Sequence, residues 1–518
     1  MEMITKEIRI GRIGRSIFNQ SMLDEDYNIP DSKPDVQRII VGQGNVHVHE
    51  IKSAENAVCV CGVVETQILY VGEGIEPCLV SAAGTIPFEE RIYTEQAELG
   101  FVVRSSRVEL QVSMIHSRKL RLKAMLELEI ASEYETQERL PLEADTEHPL
   151  FCKTEPVELL GMFARKKDTY RVKEEITLPG TKESFGTILW CDVGNRKLDT
   201  KLLTDELQLM GELQVFCFYE SPDGKIDWIE QTVPYSGRIE CLGADADMFH
   251  QVQVDLEEVH LEVRMDEDGE PRVLGVEGSM RAAVVIYKEE QLEILSDAYS
   301  LEKRCVLEKT EACYETLVLQ NHSKCKVAER LLLPELKSDI LQICHTGGSV
   351  QLDEVKPVQD GVLVEGALHV SFLYVKANDD VPFDIWQGVV PFSYLVECKE
   401  ATEELRSHIT STLEQLTVGF LGGNEVEIKA VLGFQCFFRK EIQMKIITDL
   451  KLEEIDPEEL ENRPGVVGYV VKEGDTLWEL SKRYWTTPES ILAVNELSEA
   501  DWKAGERILI LKENMSIL

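Results

Sequence analysis

Residues 29–40 read IPDSKPDVQRII, residues 178–189 read LPGTKESFGTIL and residues 333–344 read LPELKSDILQIC. Pro30, Pro179 and Pro334 thereby align at separations of 149 and 155 residues. Two further blocks recur at nearly the same offsets. Gly62, Gly211 and Gly366 stand in CGVVETQILY, GELQVFCFY and GALHVSFLY, each followed eight residues later by Tyr70, Tyr219 or Tyr374. Pro87-Phe88, Pro234-Tyr235 and Pro391-Phe392 form the third block, at separations of 147 and 157 residues. A unit this long far exceeds a solenoid repeat, so the pattern predicts three tandem domains rather than one stacked superhelix.

The texture of each unit is β. Glu206 to Tyr219 and Gly361 to Val375 alternate or run apolar for strand-like lengths, enriched in Val, Phe and Tyr. Turn residues separate such runs at Ser221-Pro222-Asp223-Gly224, Asp266-Glu267-Asp268-Gly269 and Gly422-Gly423-Asn424. The expected fold is mainly β: three tandem β-rich domains, each a sandwich or open barrel, over 1–150, 156–308 and 312–450. A shorter helical piece is expected from Glu403 to Leu416. The shared proline cannot sit in a central strand, because its φ is fixed and it lacks an N–H. The shared glycine permits close backbone approach, and a tyrosine eight residues on faces the same side of a strand. These blocks read as architecture rather than as catalytic residues.

The 518 residues carry 94 Asp+Glu against 54 Lys+Arg, a formal net charge of −40. Such a surface repels phosphate backbones and anionic headgroups, which argues against nucleic acid as partner and favours basic partners. No apolar run approaches the ~20 residues of a transmembrane segment, and MEMITKEIRIGRIGRS lacks an apolar core of signal-peptide length. The expectation is a chain made and kept in a cytoplasm. Its thirteen cysteines include no CxxC pair, so buried reduced thiols are expected. No GxxxxGK[ST], GxSxG or HExxH motif occurs. His47-x-His49 and Cys59-x-Cys61 supply two ligands each, short of a metal site. Neither metal nor cofactor is expected, and no catalytic residue can be named.

Residues 451–467 begin KLEEIDPEELENRPG, an acidic, Pro-containing linker. Residues 468–512 are compact in pattern. A strand at Tyr469 to Val471 leads through Gly474-Asp475 into a helix opened by the capping box Thr476-x-x-Glu479. Leu477, Leu480 and Tyr484 share one face of it. Thr487-Pro488 starts a second helix carrying Ile491, Leu492 and Val494, with Asn495 as a left-handed terminator. Arg507 to Leu511 closes the order βααβ.

The repeated blocks resemble the SPOCS domain of sporulating Firmicutes, most closely at PDSKPDVQRII; Gly180-Thr181-Lys182-Glu183 departs from that pattern. YVVKEGDTLWELSKRY, Asn495 and AGERILIL resemble a LysM domain, a small α+β fold. That second resemblance implies a shallow N-acetylglucosamine-binding groove between two loops. On this chain Gly474, Asp475, Thr476 and Leu477 would form one side and Asn495, Glu496 and Leu497 the other. The same residues also serve as turn and cap residues. Trp478, Trp485 and Trp502 lie in the module, and exposed tryptophans could instead anchor a protein partner. Together the resemblances imply a non-enzymatic spore coat morphogenetic adaptor of the SipL family, in which the LysM binds a SpoIVA-like coat scaffold ATPase alongside other coat proteins. Its expected place is the mother-cell cytoplasm, at the forespore surface. The rival reading is a peptidoglycan-binding protein of cortex or wall.

Overall fold

The computed structural model describes residues 2–74, 78–94, 100–334, 336, 340–377, 382–422, 424–456, 464–498 and 502–512. Gly423, the linker's middle (457–463) and residues 499–501 of the second LysM loop lie outside them.

The first repeat runs β1 (Glu2–Ile13), β2 (Ile17–Asn28), β3 (Val36–Ala54), β4 (Ala57–Gly72), β5 (Cys78–Tyr93), β6 (Phe101–His116) and β7 (Lys119–Asp145). The second runs β8 (Phe151–Thr177), β9 (Thr187–Leu203), β10 (Glu206–Glu220), β11 (Ile226–Glu240), β12 (Phe249–Met265) and β13 (Pro271–Tyr299). In the third, β14 (Arg304–Leu332), β15 (Ile340–Val358), β16 (Gly361–Lys376), β17 (Phe383–Glu397), β18 (Leu405–Gly422) and β19 (Glu425–Glu453) repeat that order. Each repeat is a sandwich of two antiparallel sheets. One is a meander, β3-β4-β5, β9-β10-β11 or β15-β16-β17; the other centres on the last strand, β7, β13 or β19. Alternation writes the sandwich directly. In KLRLKAMLELEI the residues Leu120, Leu122, Ala124, Leu126, Leu128 and Ile130 are buried, while the residues between them face outward.

The three sequence blocks form one unit in space. Gly62, Gly211 and Gly366 pair across the strand with Phe88, Tyr235 and Phe392, the aromatic residues of the third block. A Cβ at Gly62 would lie 2.6 Å from the Phe88 ring and 2.3 Å from the His47 carbonyl oxygen. The glycine thus clears a seat for the aromatic ring. The Tyr70 hydroxyl donates to the Pro34 carbonyl (3.1 Å) and that of Tyr219 to the Glu183 carbonyl (3.0 Å), tying the proline turn to the meander. Arg118 and Arg272 hold the same turn from the other sheet, through the carbonyls of Lys33 (2.7 Å) and Pro179 (2.9 Å). Asn424 takes that place in the third repeat, where its backbone carbonyl accepts from Leu333.

Two sequence expectations need adjustment. Glu403 to Leu416 is not helical: β18 starts at Leu405 and pairs with β19, because LRSHITSTLEQLTV is rich in β-branched residues. Among the thirteen free thiols, six are buried and Cys78 and Cys152 are exposed. The hairpin turns appear where expected, with Gly224 at φ +76° and Gly269 at φ +80°.

The last strands outrun their sandwiches. Beyond Glu133, Tyr287 and Lys440 each pairs with a single neighbour, giving a two-stranded ribbon in every repeat. The ribbons pack on one another. Leu140, Ile294 and Ile446, each 22 residues beyond Arg118, Arg272 or Asn424, share a core with Ile8, Ile10, Leu159 and Tyr314. The meanders meet in a second common core, where Ile40, Leu189 and Cys344 join Leu69, Phe218 and Leu373.

Ionisable groups are buried along these seams. Arg439 and Glu315 pair at 2.7 Å and are 5% and 3% exposed. His345 bonds Asp192 (2.8 Å) and Glu230 (2.9 Å) of the second repeat and stacks on Phe216. Burial depresses its pKa, but those carboxylates outweigh burial and raise it to about 9. Burial lowers His250 to about 4, helped by His322, and His408 to about 3, helped by Arg104 and Arg439.

Two predictions follow from this packing. Gly366→Val should lower stability by about 3 kcal/mol in urea unfolding, by expelling Phe392. The histidines set opposite pH limits. His250 and His408, depressed in the fold, contribute fully above the ordinary value of 6.5, and that contribution is lost as pH falls through about 4 and 3. His345, raised in the fold, contributes fully below 6.5 and loses this as pH rises through about 9. Unfolding midpoints should therefore peak between pH 6 and 7 (), and His345→Leu should flatten the alkaline limb.

Candidate functional site

The C-terminal module pairs β20 (Val466–Val470) antiparallel with β21 (Arg507–Leu511), with α1 (Leu477–Tyr484) and α2 (Pro488–Val494) between them. Val471, Leu480, Ile491, Ile508 and Ile510 form its core. The helices begin as the sequence dictates. The Thr476 hydroxyl accepts from the Glu479 N–H (3.2 Å) and that of Thr487 from the Ser490 N–H (3.1 Å).

The first loop turns at Gly474, whose φ of +91° demands glycine although nothing crowds it. The Asp475 carboxylate accepts from the Lys472 N–H (2.8 Å) and the Tyr469 hydroxyl (2.8 Å), and these bonds lower its pKa. Trp502 Nε1 donates to the Asp475 carbonyl at 3.0 Å. Trp502 therefore braces the loop from beneath.

On the second side, the Asn495 amide donates to the carbonyls of Ile491 and Leu509, and its oxygen accepts from the Leu509 N–H. The left-handed residue is Glu496 (φ +51°), not Asn495 (φ −101°). Asn495 is engaged through its side chain and has no need of that backbone shape. Leu477 and Leu497 are half-buried against the module core, whereas Gly474, Thr476 and Glu496 are exposed. What this face offers a partner is backbone, two polar side chains and the edges of two leucines.

Trp478 faces elsewhere. Its Nε1 donates to Asp297 Oδ2 (2.8 Å), and its ring meets Tyr299 edge-on at 4.9 Å. Lys482 Nζ reaches the other Asp297 oxygen at 2.6 Å, and the buried Tyr299 hydroxyl donates to the Thr486 carbonyl at 3.0 Å. Burial raises the Asp297 pKa, but the bonds from Lys482 and Trp478 prevail and lower it. The module thus sits on the tip of the second repeat's ribbon. Trp485 closes α1 in the left-handed conformation. Sequence reasoning missed Asp297 and Tyr299, which no local motif marks. Among the described residues no group of three or more His, Cys, Asp or Glu is arranged to hold a metal ion. No helix among them is long and apolar enough to cross a membrane.

The family model "SipL, SPOCS domain" matches three times, at residues 35–116, 185–265 and 339–421, and the LysM domain model matches residues 469–510. No curated protein and no solved structure matches the chain. Each SPOCS match starts beside a proline turn and runs through a meander into the following strand, and the LysM match covers both helices and most of the closing strand, starting inside β20.

Docking through Asp297 makes a measurable prediction. In Asp297→Ala, amide exchange over Leu477–Tyr484 should speed up at least tenfold, because Trp478 and Lys482 lose their shared acceptor. Exchange in the first repeat's meander should stay unchanged.

Proposed function

We propose that this sporulation-associated chain, built of three SPOCS domains of the SipL type and one LysM domain, is a non-enzymatic adaptor of spore coat assembly. Its LysM holds the coat scaffold ATPase at the forespore surface, from the mother-cell side, and the fused SPOCS body ties that anchor to other coat proteins. The observation that carries the reading is the rigid seating of a single LysM on the β body through Asp297 and Tyr299. A partner gripping this small head grips the whole molecule, as a connector requires. Weak glycan contacts, by contrast, gain strength from several copies in a row.

A second reading keeps a specific observation on its side. The likeness to LysM domains implies an acetamido sugar between the loops at Gly474–Leu477 and Asn495–Leu497, and the exposure of Gly474, Thr476 and Glu496 suits such a ligand. On this reading the partner is peptidoglycan.

Binding of the purified full chain to purified coat scaffold ATPase, beside co-sedimentation with peptidoglycan, separates the two. The adaptor reading expects ATPase binding, a loss of at least tenfold in Thr476→Arg/Glu496→Arg, and no sedimentation with peptidoglycan. Both substituted side chains are exposed; Thr476→Arg also removes the cap of α1, a loss of about 1 kcal/mol, so an unchanged circular dichroism spectrum of the variant accompanies the binding measurement. Sedimentation with peptidoglycan and no ATPase binding would replace the adaptor with the glycan reader.

A further inference from the structure

Between α1 and the ribbons of the second and third repeats lies an open cleft of about 680 Å³. That lies within the range of pockets that take small ligands, about 300–1,000 Å³, and the cleft is open to solvent. Ile294, Leu307 and Met444 give it an apolar floor, and Trp478 and Thr476 form part of the LysM wall. Four lysines, Lys153, Lys309, Lys445 and Lys482, line the same cleft.

Their pairing is uneven. Lys153 is matched by Glu155 (3.1 Å) and Lys482 by Asp297 (2.6 Å). Lys309 donates to the Ser296 carbonyl (2.6 Å), and neither it nor Lys445 forms an ion pair among the described residues. Both are exposed. Glu479, on the opposite wall, is the one lining carboxylate left without an ion pair among those residues, so the uncompensated charge is positive. In a chain whose acids outnumber its bases by 94 to 54, two unmatched ammonium groups over one apolar floor run against the general charge.

We infer that this composite cleft binds an acidic, extended segment of a protein partner. Carboxylates of the segment would meet Lys309 and Lys445 while its apolar side chains rest on Ile294, Leu307 and Met444. Ammonium groups act as point charges on flexible stems and suit carboxylates at variable spacing. A neutral glycan would leave both lysines unmatched. The inference rests on the adaptor reading for the partner's identity only; the lysines and the floor fix the chemistry.

The test uses the full chain and a fluorescein-labelled decapeptide alternating Glu and Leu, read by fluorescence anisotropy. Binding should weaken at least tenfold in Lys309→Glu/Lys445→Glu and persist in Lys309→Arg/Lys445→Arg. It should weaken with added salt, and a Lys/Leu counterpart should not bind. The inference is overturned if the acidic peptide does not bind, if the double Glu variant binds it unchanged, or if soluble peptidoglycan fragments bind there in its place. Failure of the wild-type chain to bind the purified ATPase, with peptide binding intact, would instead count against the adaptor reading alone.

Discussion

The constraint on which the structure depends is that a two-stranded ribbon cannot bury its own apolar face. Alone, such a hairpin is marginal in water. In this chain β7, β13 and β19 each run past their sandwich, and each ribbon carries residues such as Leu140, Ile294 and Ile446 that must be covered. The other two ribbons cover them. The three repeats are therefore not beads on a string: each needs its siblings to complete a core, and the meander core around Phe218 and Leu373 makes the same demand at a second place. Only with this hub assembled does the LysM have its ribbon tip to rest on.

Three-way contacts also explain why the repeats have diverged. Equivalent positions face one another there, and three identical charges could not be buried together. Fifteen residues beyond Arg118, Arg272 and Asn424 stand Glu133, Tyr287 and Arg439. The Arg439 guanidinium lies 5.6 Å from the centre of the Tyr287 ring, and Glu133 takes bonds from Arg104 and Arg165. At the other junction Val41 and Trp190 are matched in the third repeat by His345, which needs Asp192 and Glu230 to stay charged. Buried pairs of this kind add little net stability, yet removing one partner is costly. They distinguish the repeats at these junctions.

Much of this was legible in the sequence, for physical reasons that differ by element. The LysM could be read because its signals are local: caps, a glycine turn and two short strands within 45 residues. The mainly β repeats could be read because alternation and turn residues act over a few positions. Block recurrence revealed the number of repeats but not what the blocks do. Gly62 and Phe88 lie 26 residues apart and meet only through strand register, while Tyr70 reaches its carbonyl across 36 residues. Glu403 to Leu416 misled because its own residues do not decide between helix and strand, whereas pairing with β19 does. Asp297 and Trp478, 181 residues apart, left no trace that periodicity could find.

The seating of the head has a mechanical consequence. The chain enters the LysM from the end of β19, in the third repeat, while Trp478, Lys482 and Thr486 fasten it to β13, in the second. A pull on the head is thus divided between a covalent tether and a polar clasp on different strands that run into the same hub. Tension would spread across the β body instead of peeling one sheet from its edge.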